Sequence, residues 1–277
     1  MSKTNLGLCD YARAQVAENR PYWYGTYGCY STPELLAEKR RAYPKYYTAT
    51  DFKDQMGKKV HDCIGLAYKG YLWSESNDAP AKYDPKTDYS ANDTIKLCKT
   101  QGDISTLPEI GGVMLWKEGH AGLYMTNGLV YEAKGHKWGC IASKLKDTKW
   151  KKWGLLPWIE YIGYTEFVER LYKNVLARDS EVLGKAYWVD ALRKKTFTVT
   201  EVATLFLTSQ EFINRNVSEK EFITILYRVF LDRLPDALDW WVKYSVENGR
   251  TATIYAFEST AEWQYTSQFI TDITIPH

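Results

Sequence analysis

A repeat in the C-terminal part most constrains what this chain can fold into. Phe167, Leu171 and Tyr172 recur 55 residues later as Phe222, Leu226 and Tyr227. Each set is followed by a Leu-x-Arg step, Leu176 to Arg178 and Leu231 to Arg233, then by an aromatic pair, Tyr187-Trp188 and Trp240-Trp241. Each copy closes on a Ser followed by Glu and an aromatic: Ser209, Glu211 and Phe212, then Ser259, Glu262 and Trp263. Phe167, Leu171 and Val175 fall at four-residue steps, as do Phe222, Leu226 and Phe230, which is the spacing of a helix face turned to a core. A unit of this kind buries its apolar face by stacking on its copy. This predicts an all-α C-terminal domain over residues 164–277, with the boundary inside 160–166.

Residues 1–163 follow another pattern. A helix is expected over 5–20, with Leu6, Cys9 and Val16 on its apolar side, and an aromatic, glycine-rich loop over 22–30. Thr32 and Pro33 have the chemistry of a cap and first turn for a helix reaching Ala42. A helix over 60–73 has Cys63 at its start, and 74–92 is loop. Strands follow over 111–116, 120–125, 129–133 and 138–143, with Asn127-Gly128 as a strong turn signal.

A net charge of +2 argues against a dedicated nucleic-acid binder. Residues 1–165 carry 23 Lys and Arg against 18 Asp and Glu, a mild excess suited to an anionic target. Seven of those lysines fall between Lys134 and Lys152, a run expected to be a solvated face. No apolar run is long enough to span a bilayer, so no membrane insertion is expected. Met1 to Asp10 lacks the layout of a signal peptide, which implies synthesis in a cytoplasm and release by another route. The five cysteines have neither C-x-x-C nor zinc spacing, so no metal is expected.

One cysteine has a setting for chemistry. A Cys at a helix N-terminus beside an imidazole has its pKa lowered, because the helix dipole and the imidazolium favour the thiolate. Cys63 opens its helix, and His120 starts a strand 57 residues later. On its own each is as readily a buried core residue. In this order, Asp62-Cys63-Ile64-Gly65-Leu66 and then Gly119-His120-Ala121-Gly122-Leu123-Tyr124, they resemble the D-C-S-G-[LF] and G-H-V-G-[IL]-Y signatures of the NlpC-like peptidoglycan cysteine peptidases. The likeness covers about residues 8–162 and is nearest to the versions in phage endolysins.

The resemblance implies an α+β papain-like domain, its Cys helix packed on an antiparallel sheet bearing the His. It implies a cofactor-free hydrolase whose partner is bacterial peptidoglycan, acting on the wall after release. Cys63 would be the nucleophile and His120 the base. The third, orienting residue falls at Glu132, which the hairpin's symmetry about Asn127-Gly128 also brings near His120; His136 is its rival. Tyr22, in Pro21-Tyr22-Trp23-Tyr24-Gly25, would join the oxyanion site, and Asp62 would contact substrate. The family's Ser after the Cys is Ile64 here, which favours attack on intact wall by endopeptidase or amidase cleavage. An acyltransferase or a non-enzymatic wall binder on the same fold is the competing class. The tail resembles a repeated bacterial helical domain of unknown function, a candidate for wall targeting. The oligomeric state is left open.

Overall fold

The computed structural model describes residues 3–273, and the chain separates into two compact units that meet between Glu160 and Tyr161. This junction falls inside the expected 160–166 stretch, just ahead of the 163/164 division.

The first unit is mixed α and β. Helix α1 (Asn5–Ala17) starts at Thr4, whose hydroxyl accepts the Gly7 N–H. Its buried side carries Leu6 and Cys9 as expected, with Leu8, Tyr11 and Ala12 and the polar Asn5 and Gln15, while Val16 is half-buried and Ala17 exposed. The buried face is thus the expected one, widened and shifted towards the start of the helix. Two polar anchors belong to it: Asn5 donates to the Gly111 carbonyl and Gln15 to that of Asn77, and buried amides of this kind must be paired. The 22–30 stretch is less of a loop than expected, because strand β1 (Tyr27–Tyr30) pairs antiparallel with β2 (Lys59–His61). Helix α2 (Pro33–Ala42) begins as read, with Thr32 accepting the Leu35 N–H. Trp23, Leu36, Tyr47, Phe52 and Val60 form a buried cluster beneath this part.

The Cys63 helix opens at residue 63, passes through a π-turn at Gly65–Lys69 and ends as α3 (Gly70–Trp73). A short helix α4 (Ala91–Leu97) follows. The sheet holds β3 (Gln101–Asp103), β4 (Val113–Lys117), β5 (His120–Tyr124), β6 (Leu129–Ala133), β7 (Cys140–Lys144) and β8 (Lys152–Gly154). Their order is β3-β8-β4-β5-β6-β7, and every pair is antiparallel. The Cys63 helix packs on β5, β6 and α1, so the fold carries Cys63 to the sheet that bears His120.

The second unit is helical: α5 (Tyr164–Val175), α6 (Val182–Arg193), α7 (Val199–Leu207), α8 (Gln210–Asn214), α9 (Glu219–Leu226), α10 (Leu238–Asn248), α11 (Arg250–Glu258) and α12 (Ala261–Thr266). Phe167, Leu171, Phe222, Leu226 and Phe230 are all buried, and Trp263 of the second copy lies against Phe167 of the first. The Leu-x-Arg step has a backbone reason. Ala177 and Asp232 take left-handed φ of 54° and 51°, ending each helix and turning the arginine back over its own copy. Arg178 lies on the Tyr172 ring and grips Glu211 through two nitrogens; Arg233 does the same with Tyr227 and Glu262. The closing serine is displaced in the second copy. Ser209 caps α8, but the counterpart that caps α12 is Thr260, one residue after Ser259.

Candidate active site

Asp62 sets the start of the Cys63 helix. Its Oδ1 accepts the Gly65 N–H at 2.7 Å, an N-cap bond, and its Oδ2 accepts the Gly25 N–H at 3.1 Å. Both carboxylate oxygens therefore hold backbone, tying the helix to the loop after Tyr22. Burial pushes the Asp62 carboxyl up, while Lys69 and these two amides work the other way. Gly65 is required here: a Cβ on it would lie 2.4 Å from the Thr26 carbonyl oxygen.

Cys63 keeps some exposure, and the backbone N–H groups of Ala121, Ile64 and its own residue act to lower its pKa. The effect of Ala121 sets the thiol near the strand residue next to His120. The thiol is not activated at rest in the way the helix position suggested. Burial, and then the charge of Asp62, push it up to about 12, outweighing the three N–H groups. A helix terminus lowers a thiol pKa only where desolvation and a neighbouring carboxylate do not outweigh it.

His120 Nε2 and Glu132 Oε2 are 2.7 Å apart. The β5–β6 register pairs Leu123 with Tyr131 and Tyr124 with Val130. Continued along the strands, it sets Glu132 opposite Gly122, so His120 and Glu132 share a face as diagonal neighbours rather than as a direct pair. Glu132 is buried, and its other oxygen, Oε1, accepts from Ser143 at 2.6 Å and Lys134 at 3.2 Å, with Thr148 at 3.5 Å. Burial alone would raise this carboxyl, yet the bonds from His120 and Ser143 and the charges of His120 and Lys134 prevail and hold it at about 2. Lys134 thus leaves the solvated face read into the lysine run and serves the buried carboxylate.

A carboxyl with a folded-state pKa below its ordinary 4.5 gives up its proton more readily folded than unfolded. Its stabilising contribution is whole above about 4.5 and drains away as pH falls towards 2. Glu132→Gln should therefore lower the unfolding midpoint at neutral pH, with the gap to wild type narrowing as the buffer is taken to about pH 3. Thermal unfolding across that range reads it; a gap independent of pH means that Glu132 is not held as an anion.

His136 is elsewhere. Its Nε2 lies 2.7 Å from Asp51 Oδ1 and its ring packs on Phe52, so the structure sets Glu132, not His136, on His120. Tyr22 is near Cys63: burial first, then the charges of Cys63 and Asp62, push its phenol up, so it keeps its proton and remains a donor. His61, next to Asp62, is fully buried against Gln15 and lowered to about 3 by burial and by Lys59 and Arg20, a neutral core histidine. Among the described residues, no group of His, Cys, Asp and Glu could hold a metal ion, and no helix is long and apolar enough to cross a membrane. A groove of about 570 Å³ has the chain neighbours of Cys63, Asp62 and Ile64, in its wall, but neither Cys63 nor His120; Tyr24, Tyr43 and Tyr83 and the charges of Lys39, Lys69 and Asp88 also line it.

The sequence reading missed Ser143, Thr148 and Trp150. The register pairs Val130 with Ser143 and Glu132 with Ile141, so Ser143 shares the face of Glu132. A β6–β7 alignment would have exposed it; Trp150 lies in an irregular stretch with no such signal.

Residues 162–216 and 203–266 match the family described as Domain of unknown function (DUF4214), one match on each copy of the repeat. No curated protein matches the chain.

Proposed function

We propose that the first unit is a papain-like cysteine peptidase of the NlpC type, cutting amide bonds in the peptide part of bacterial peptidoglycan as an endolysin-like endopeptidase. One observation carries this reading. Cys63 stands at the first turn of a helix packed on β5, the strand that His120 opens, and His120 is bound through Nε2 to a buried carboxylate. In this mechanism the sulfur attacks the amide carbon while its proton passes to His120 Nδ1, the ring nitrogen not used by Glu132. Because burial keeps the thiol protonated at rest, the transfer accompanies attack rather than preceding it. The backbone N–H of Cys63 and the Tyr22 hydroxyl steady the oxyanion. His120 then protonates the leaving amine, and water resolves the thioester.

Digestion of purified sacculi followed by mass spectrometry tests the reading. New free amines with cut stem peptides are expected. Release of whole stems from muramic acid would make it an amidase, and joined rather than shortened peptides a transferase. Walls left uncut would overturn the peptidase reading.

The second unit is the wall-targeting part in this scheme. Supporting it, Tyr187 and Trp240 stand at matching positions in the two copies and are 60% and 59% exposed, while Trp188 and Trp241 face the core. Two like surfaces on one chain raise avidity for a repetitive polymer. Residues 1–163 alone should cleave soluble muropeptides at near the full-length rate and intact walls more slowly, and the isolated tail should pellet with walls. A tail that stays in the supernatant, with unimpaired wall lysis by the truncated enzyme, would remove the targeting role.

A further inference from the structure

Trp150 lies flat on the His120 imidazole, with ring centroids 5.4 Å apart and planes 13° from parallel. It is buried, at 5% exposure, although its indole Nε1 has no hydrogen-bond partner. A buried donor without a partner is costly, and proteins seldom keep one where a ring without an N–H would serve. Reach explains why an indole is kept. Gly122 stands between His120 and Tyr124 on β5, on the face of His120 and Glu132. A Cβ there would lie 2.7 Å from the far carbon of the Trp150 six-membered ring. The indole spans from the place vacated by that missing Cβ to the imidazole, and a phenyl ring is shorter. The same connection also supplies Thr148 to Glu132, and the end of β7 just before it supplies Ser143. One segment, 143–150, therefore grips both the imidazole and the carboxylate that orients it.

We propose that Trp150 is a positioning residue that keeps the His120 ring in the plane of its bond to Glu132, with Gly122 as the socket that admits it; this rests on the reading of Cys63 and His120 as nucleophile and base. Turning the imidazole about its Cβ–Cγ bond would drive its edge into the indole. Packing on that side also keeps water from the His120–Glu132 bond. Trp150 touches neither thiol nor substrate in this role and acts only through His120.

Two variants attack the contact from opposite sides. Trp150→Ala removes the cover, and Gly122→Ala leaves the indole present but displaces it. Both should lower kcat on a soluble stem-peptide fragment by about tenfold to a hundredfold with KM little changed, the effect of a base displaced by about an ångström. Trp150→Phe should recover part of the loss. Proton NMR of the folded proteins reads the same contact without activity: the His120 Nε2–H shared with Glu132 should resist exchange in wild type and Trp150→Phe and exchange rapidly in both alanine variants. Should Trp150→Ala fail to fold, Gly122→Ala and Trp150→Phe carry the comparison. The proposal is overturned if the alanine variants keep wild-type kcat and a protected N–H, or if only KM changes. If wild type cuts no stem peptide, the peptidase reading falls, while the N–H signal still judges the contact.

Discussion

Cys63→Ala should abolish release of free amines from sacculi, a loss of roughly a million-fold, while circular dichroism and the unfolding midpoint stay close to wild type. The size follows from the role: without the attacking sulfur no covalent intermediate forms, and what survives comes from binding and oxyanion stabilisation alone. The fold should tolerate the change because Cys63 keeps some exposure and the start of its helix is set by Asp62. Activity within about tenfold of wild type would remove Cys63 as nucleophile. The remaining cysteines supply no substitute: Cys9, Cys98 and Cys140 are buried, and Cys29 lies on β1 with its thiol pushed up by burial.

His120→Ala should cost nearly as much, and the double variant Cys63→Ala/His120→Ala should fall no further than either alone. Groups that act as one unit are strongly non-additive, since each is useless without the other. The dependence on His120 is sharper here than in a site with a preformed thiolate, because burial and Asp62 leave the Cys63 thiol protonated at rest. A thiol in that state needs a base within the same step. Multiplying losses in the double variant would mean that the two residues contribute separately, and the nucleophile–base assignment would fail. Rates on a soluble stem peptide, with each variant's unfolding midpoint as control, decide this.

The sequence was most legible where local chemistry decides. The Thr32-Pro33 start, the Asn127-Gly128 hairpin, the position of Cys63 at a helix start and the tail repeat all rest on neighbours within a few residues, and the structure has each of them. It was least legible where pairing is long-range. Strands β3 and β8 are three residues each, too short to show alternation, and are defined by distant partners: β3 by β8 across about 50 residues of chain, and β8 by β3 and β4. On α1 the buried Leu6 and Cys9 were legible, but not the polar anchors Asn5 and Gln15, which an apolar period does not register. The thiol's protonation came first from burial, which a helix-dipole argument leaves out, and then from the charge of Asp62, which that argument counts only as part of the cap. Trp150 could not be found because stacking on His120 is a contact between a strand and an irregular segment 30 residues later.

The π-turn at Gly65–Lys69 has a further consequence for how this helix tolerates change in length. Its two ends are pinned separately: Asp62 fixes the first turn, and Lys3 holds the last by donating to the carbonyls of Tyr71 and Ser74. Between fixed ends, the wider turn acts as a phase shifter, taking up one residue that an α-helix would spend as about 100° of rotation and 1.5 Å of rise. Deleting a single residue inside it would let the helix close to ordinary pitch with no loss of apolar packing behind it. Both flanks would keep their phase, so the sulfur would still face β5, whereas a deletion in either α-helical flank would swing it by about 100°. The wide turn is thus the one place in this helix where chain length can change by a residue without loss of helix phase.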